Sequence, residues 1–375
     1  MRLLHLNAGN LFGGIETYLV TLAKLASKAT SLDHTFLLTS QGRLSSELQN
    51  LGADVRFCAP TRLSRPWTVR HARRELVRVV LDVRPDAIVA HGAWPLVVFE
   101  PSHVAPQTPV LFYLHVHDSG GWLDRLARRV SVDVVVANSS FTAGTARRAW
   151  PNTPITVCRY PVLQPERFDR QSIRAELGLR PDEVAILQVS RFEEWKGQLL
   201  HVEALRRIPP KLPWRAFLVG GASRASEKKL RSRVLALASW LPEGRFELLG
   251  ERNDVPRLMQ AADIFCQPNS GPEPFGLVFV EALWAGLPVV TTEMGGAVEI
   301  VDRGCGRLCS PDPAALASTL EGLITDQGLR NALGKTGPVR ARDLCGPEQA
   351  LEELRSVVAR ALLAGQRHEG AAVWA

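Results

Sequence analysis

The sequence predicts an α/β protein of two doubly wound parallel-sheet domains. Three observations give this class. Short apolar runs of strand length recur along the chain, and most are followed by a segment of helical periodicity. The runs are continuous rather than alternating, as expected of strands covered on both faces. The pattern occurs twice, once on each side of a proline-bearing stretch, Tyr160-Pro-Val-Leu-Gln-Pro165. A length of 375 residues and a 46% apolar content suffice for two cores.

In the first half, Leu3–Leu6 is read as a strand. It is followed by a glycine-bearing loop, Asn7–Gly14, and a helix over Ile15–Ser27 with Ile15, Leu19, Leu22 and Leu25 on one face. Strand Thr35–Thr39, helix Leu44–Leu51 and strand Val55–Cys58 come next. A basic helix over Thr68–Val83 precedes the strand in Pro85–His91, and strands Val110–His115 and Val132–Ala137 lead into helix Ser139–Ala149. The second half repeats the alternation. Its strands are Val184–Val189, Arg215–Val219, Phe246–Leu249, Asp263–Cys266 and Leu287–Thr291; its helices include Gln198–Arg206 and Glu227–Trp240. The expected domains are residues 1–162 and 163–345, then a last helix over 346–364 (about Pro347–Leu363) and a flexible tail over 365–375.

The densest chemistry lies in Asn269-Ser-Gly-Pro-Glu-Pro-Phe-Gly-Leu-Val-Phe-Val-Glu281. Glu273 and Glu281 stand eight positions apart around Pro274-Phe-Gly276, which reads as a loop entering a helix over Leu277–Trp284. Proline suits a first helical turn, and Gly286 suits a stop. At ~1.5 Å per residue Glu281 would lie roughly 12 Å along the axis from Glu273, about two turns in. Backbone N–H groups of Phe275, Gly276 and Leu277 would form an anion site at the helix start. An anion flanked by acids that accept hydrogen bonds from hydroxyls suggests a phosphorylated sugar.

Arg191 and Lys196 follow a strand directly, and two cations there can straddle a diphosphate. Gly13 and Gly14, between the first strand and first helix, admit close approach of a phosphate or sugar to the backbone. Their pattern is not the G-x-G-x-x-G dinucleotide fingerprint. Gly334-Lys-Thr336 lacks both the upstream glycine and the strand of a phosphate loop. His115 and His117, two apart at a strand end, share one face.

Other classes are excluded or disfavoured. No apolar run is long enough for a membrane-spanning helix, and the amino terminus lacks the block of a secretory signal. Six scattered cysteines fit free thiols in a reducing cytoplasm. No metal site is expected: there is no Asp-x-Asp, and the two histidines have only Asp118 nearby. Residues 1–165 hold 18 Lys and Arg against 11 Asp and Glu, which accounts for the whole formal charge of +7. Basic amphipathic stretches at Arg62–Arg84 and Trp122–Arg129 are candidates for peripheral contact with an anionic membrane, against the plainer reading of sheet-covering helices. No stacking platform accompanies the basic residues, so nucleic acid is not an expected partner.

Taken in order, these segments resemble the retaining glycosyltransferases of family four (glycosyl transferases group 1), which have the GT-B fold. Glu273-Pro-Phe-Gly-Leu-Val-Phe-Val-Glu281 resembles the family's E-x7-E motif, and Ser190-Arg…Lys196-Gly197 its phosphate loop. Gly250…Asp254-Val-Pro-Arg…Phe265 and Gly295-Gly-Ala-Val-Glu-Ile-Val301 resemble its flanking segments. The likeness covers most of the chain and is strongest in the second half. It implies two Rossmann-like domains facing a cleft, the first binding acceptor and the second a nucleotide-diphosphate-sugar donor, with the last helix crossing back to the first domain.

It further implies hexosyl transfer with retained anomeric configuration, without a metal or other cofactor, in polysaccharide or glycoconjugate synthesis. The acceptor would be a glycan, a lipid-linked sugar or a small molecule. Arg191 and Lys196 would hold the diphosphate, and Glu281 the ribose. Glu273 with the backbone of Phe275–Leu277 would hold the sugar. Gly14, with Gly13, would approach the phosphates, and His115 would face the reacting sugar, with His117 as its rival. Two departures stand out: Tyr160–Gln164 replaces the Asn-Gly-Val-Asp often found in the linker, and Trp284 is bulky. An epimerase or a phosphorylase on the same architecture is the alternative enzyme, and a silent sugar- or membrane-binding module the non-enzyme.

Overall fold

The computed structural model describes residues 1–10, 12–26 and 32–372, with side chains through residue 363. It divides the chain into two compact units, Met1–Leu163 with Cys345–Ala375, and Gln164–Leu344.

In the first unit seven parallel strands lie in the order β3-β2-β1-β4-β5-β6-β7. They are β1 Arg2–Asn7, β2 Asp33–Leu38, β3 Asp54–Phe57, β4 Ala87–His91, β5 Val110–Leu114, β6 Val134–Ala137 and β7 Ile155–Val157. The inner strands β4, β5 and β6 are buried along their whole length, which explains their unbroken apolar runs. Helix α1 spans Gly14–Ala26, so Ser27, expected to end it, lies outside the described residues. Helix α2 is Arg43–Asn50 and α3 is Pro66–Val83; α3 buries only Ala72 and Leu76 fully. Two helices escaped the sequence reading, α4 Ala93–Phe99 and α5 Pro101–Val104, while α6 Trp122–Ala127 falls in the second basic amphipathic stretch. Helix α7, Ser140–Ala149, starts where Ser139 accepts a hydrogen bond from the Thr142 N–H.

The second unit holds six parallel strands in the order β10-β9-β8-β11-β12-β13. They are β8 Val184–Val189, β9 Trp214–Val219, β10 Phe246–Gly250, β11 Ile264–Gln267, β12 Val289–Thr292 and β13 Gly306–Cys309. Helices α8 Arg170–Glu176 to α15 Gln327–Cys345 pack around this sheet; among them α9 is Gln198–Leu205, α10 Ala225–Ala238 and α12 Leu277–Trp284. Asp263 fixes the entry to β11: it pairs with Arg174 at 2.8 Å and accepts from the Ala185 N–H at 2.7 Å. Gly334-Lys-Thr336 lies inside α15.

The last helix, α16, runs over Pro347–Ala372. It belongs to the first unit and packs over β4, β5 and β6. Ala350, Leu351, Leu354, Val357, Val358 and Ala361 form its buried stripe at helical spacing. The tail expected over 365–375 is helical to Ala372, and residues 373–375 lie outside the described residues. The Val162 N–H donates to the Cys345 carbonyl at 2.9 Å, so the chain leaves and re-enters this unit at adjoining points.

Candidate active site

Ligands of open parallel sheets bind off the carboxyl ends of strands, where the strand order reverses. In the second unit that point lies between β8 and β11. The loop after β8 carries Arg191 and Lys196, and the loop after β11 carries Glu273.

The two loops are tied together at close range. Lys196 Nζ lies 2.8 Å from Glu273 Oε2, which also accepts from Asn269 Nδ2 at 2.9 Å. The Lys196 ammonium sits 3.8 Å from the centre of the Trp195 ring. The Trp195 and Glu194 carbonyls accept from the N–H and hydroxyl of Ser270. Gly197, at φ +70°, brings the end of the first loop against the second; a Cβ there would lie 1.7 Å from the Pro268 carbonyl oxygen. Only glycine meets both demands.

Behind the loops lies a set of buried amides that the sequence reading missed. Gln188 Nε2 donates to the Lys196 carbonyl at 2.9 Å, and its Oε1 meets His201 Nδ1 at 2.8 Å. Burial holds the His201 ring down at about 3, so it is neutral and its Nδ1 carries the hydrogen. Gln198 Nε2 donates to Ser190 Oγ and to the Arg191 carbonyl. Gln267 Nε2 donates to Asn269 Oδ1 at 3.1 Å, and Thr292 Oγ1 to the Asn269 carbonyl at 2.6 Å. A glutamine within an apolar strand or at its end, as at Gln188 and Gln267, was the available signal: buried amides are kept where they have partners.

Helix α12 begins at Leu277 with Gly276 before it, at φ +103°. Pro274 therefore precedes the helix rather than occupying its first turn, and Glu281 lies little more than one turn in. The N–H groups of Gly276 and Leu277 have no recorded partner among the described residues, whereas Phe275 is buried and partnered. The Glu281 carboxylate accepts no hydrogen bond among the described residues, and burial pushes it up to about 7. Gly295 and Gly296 hold the other side of this loop: the Gly296 N–H donates to the Glu273 carbonyl at 2.6 Å. Arg191 stands apart from the Lys196–Glu273 pair, half-exposed and 2.8 Å from Glu193.

In the first unit, Gly13 lies between β1 and α1, and Gly14 opens α1, exposed at the helix start. His115 directly follows β5 and is 4% exposed. Both its ring nitrogens are engaged: Nε2 with His91 Nδ1 at 2.8 Å, and Nδ1 with the Tyr160 hydroxyl at 2.6 Å. That is a physical obstacle to its offering a ring nitrogen to a sugar. The partly exposed His117 has a buried Nδ1 without a partner and rests its ring edge-on against Phe141. Asp118 is committed to Arg128 at 2.7 Å. Among the described residues no group of three His, Cys, Asp or Glu is placed to hold a metal ion.

Two parallel-sheet Rossmann-like units, one with the Lys196–Glu273 ion pair at its switch point, define a glycosyltransferase of GT-B fold. The chain belongs to the family-four, group 1 glycosyltransferases: residues 12–162 match "Glycosyltransferase Family 4" and residues 169–340 match "Glycosyl transferases group 1". The lipopolysaccharide core biosynthesis mannosyltransferase LpsB of Rhizobium meliloti is 29% identical over 63% of this chain and 68% of its own. Human alpha-1,3/1,6-mannosyltransferase ALG2 is 23% identical over 68% of each chain. The crystal structure of Anabaena HepE in complex with UDP-glucose superposes with a TM-score of 0.81 at 26% identity, covering 95% of this chain and all of that one.

Proposed function

We propose that the protein transfers a hexosyl group from a nucleotide-diphosphate sugar to a hydroxyl of a glycan, glycolipid or small molecule, with retained anomeric configuration and without a metal. The observation that carries the reading is the buried Lys196–Glu273 pair beside the open amino end of α12. As the diphosphate departs, negative charge grows on it. Lys196, Arg191 and the Gly276 and Leu277 amides supply fixed positive counter-charge. Glu273 accepts from sugar hydroxyls, and the unpartnered Glu281 carboxylate from the ribose. The acceptor's proton passes to the leaving phosphate on the same face, so no covalent sugar–enzyme bond forms. In the first unit Gly13 and Gly14 leave their backbone open to a phosphate or sugar. Of the two histidines, His117 has the ring nitrogen to offer.

The relatives named for mannosyl transfer and the UDP-glucose bound to HepE make GDP-mannose and UDP-glucose the donors to try first. A thermal-shift screen over nucleotide sugars, followed by product analysis with the winning donor, tests the reading. A raised midpoint and an α-linked product from an α-linked donor support it; an inverted product or a trapped glycosyl-carboxylate would sink the retaining, same-face route. Donor turnover without acceptor would favour an epimerase.

We further propose peripheral contact of α3 with an anionic bilayer. Trp67 and Leu81 are 68% and 69% exposed, and Arg70, Arg74 and Val77 lie on the same helical face. Among the described residues no helix is long and apolar enough to cross a membrane. The six cysteines are free, as suits a reducing compartment at the inner face. Flotation with anionic but not neutral liposomes is expected, and equal flotation with both would remove the electrostatic part of the proposal.

A further inference from the structure

Four histidines lie side by side across the first unit's sheet. His34 is on β2, His5 on β1, His91 on β4, and His115 just past β5. The register explains the arrangement. His34 is level with Leu3, His5 with Val89, and His91 with Tyr113. Each histidine is therefore two residues further along than its neighbour on the preceding strand. Level residues share a face, as do residues two apart, so all four rings lie on one face, stepping towards the carboxyl edge.

The rings touch through their nitrogens, always Nε2 of one to Nδ1 of the next. His115 Nε2 meets His91 Nδ1, His91 Nε2 meets His5 Nδ1, and His5 Nε2 meets His34 Nδ1, each at 2.8 Å. At the head, His115 Nδ1 lies 2.6 Å from the Tyr160 hydroxyl. Burial holds all four rings below their ordinary pKa, so they are neutral, each with one N–H and one bare nitrogen. Once one ring's tautomer is set, so are the others.

Asn138 sets it. One Asn138 nitrogen lies 2.8 Å from the His115 carbonyl and 2.9 Å from the Tyr160 oxygen. A carbonyl only accepts, so the amide cannot be turned the other way. Tyr160 thus receives a hydrogen from Asn138, and its short contact with His115 Nδ1 points its own hydrogen there. The 2.6 Å separation suits an O–H donor better than an N–H donor. The chain then runs from Tyr160 to His34, whose buried Nε2 has no partner among the described residues.

We propose that Tyr160, His115, His91, His5 and His34 form one directional hydrogen-bond chain in which every imidazole is the Nε2–H tautomer. These are positioning residues: they fix the end of β5, and through Asn138 on the His115 carbonyl they fix the start of the loop that carries His117. The second statement rests on the sugar-transfer reading above; the first does not.

The test uses full-length protein with 15N-labelled histidine, in which long-range proton–nitrogen spectra distinguish the two tautomers. Wild type is expected to show all four rings as Nε2–H. Tyr160→Phe, which removes the hydrogen at the head, is expected to change the spectrum of His91 and His5, rings that do not touch residue 160. Asn138→Asp, which presents acceptors to the phenol, should draw the Tyr160 hydrogen away and reverse the chain; it serves if Tyr160→Phe fails to fold. Mixed tautomers in wild type, or remote rings unmoved in a folded variant, would overturn the chain.

Turnover separates the two statements. Tyr160→Phe is expected to lower kcat roughly tenfold through a misplaced loop, with the donor KM kept. Unchanged kcat with altered tautomers would overturn the positioning role and leave the chain standing. Absence of sugar transfer by wild type with the single tautomer intact would remove the proposed function, and the positioning role with it, but not the chain.

Discussion

Lys196 and Glu273 are 77 residues apart in sequence and 2.8 Å apart in space, with side chains 16% and 8% exposed. The pair joins the two loops that flank the switch point of the second sheet. A buried carboxylate that loses its cation becomes costly, so the pair contributes to stability as well as to charge at the site. Lys196→Ala is expected to cost about 3 kcal/mol of unfolding free energy and at least tenfold in nucleotide affinity. Denaturant melts and calorimetric titration with UDP or GDP check the two effects separately. Full donor affinity and turnover in the variant would remove the phosphate role.

Gly197 is expected to tolerate no side chain. Alanine there combines a left-handed backbone with a 1.7 Å approach to the Pro268 carbonyl, so both loops would have to move. Gly197→Ala should lower the melting temperature and abolish nucleotide-induced stabilisation. Alanine at the open Gly144, where a Cβ meets nothing within 4 Å, is the control.

Glu281 is expected to make nucleotide binding depend on pH. Its carboxyl, at about 7 in the free protein, is half-protonated near neutrality. Ribose hydroxyls donate to the ionised form, so affinity should rise as pH increases through about 7 and level off above it. The diphosphate's own ionisation acts equally on Glu281→Gln, which is expected to lack this step. Parallel pH profiles of wild type and variant would dismiss the ribose role.

The buried rings make the fold acid-sensitive. Folded His34 and His115 titrate at about 4 and about 3, while the unfolded chain takes up protons near 6.5. Between those values the unfolded state binds more protons, so stability falls as pH drops from about 6.5 towards 3. Each displaced unit is worth about 1.4 kcal/mol per ring. Chemical denaturation at pH 7.5 and pH 5 should show the loss, reduced in His34→Phe if that variant folds.

The strands of both sheets were legible because parallel strands buried on both faces must be apolar throughout, as Val184–Val189 nearly is. Helix α12 was legible from the Pro274-Phe-Gly276 loop that enters it and Gly286 that follows it. The short edge strands β7 and β13 were not: three or four residues carry too little pattern to separate from a loop. The amide set behind Lys196 and the histidine chain were missed for a different reason. Gln188 and Gln267, or His5, His34 and His91, are far apart in sequence, and each alone looks like an isolated polar residue in a strand. Their meaning comes from register across strands, which no local window contains.

The hydrogen bond from Val162 to Cys345 marks a seam with a consequence for how the chain is made. The second unit is a continuous stretch and can fold as soon as it has left the ribosome. The first unit is translated first yet completed last, because α16, the cover over β4–β6, arrives with the final residues of the chain described. Throughout synthesis of the second unit, nearly half the sequence, an apolar sheet face waits for its lid. A nascent chain stalled before Pro347 should therefore be the species that most needs a chaperone.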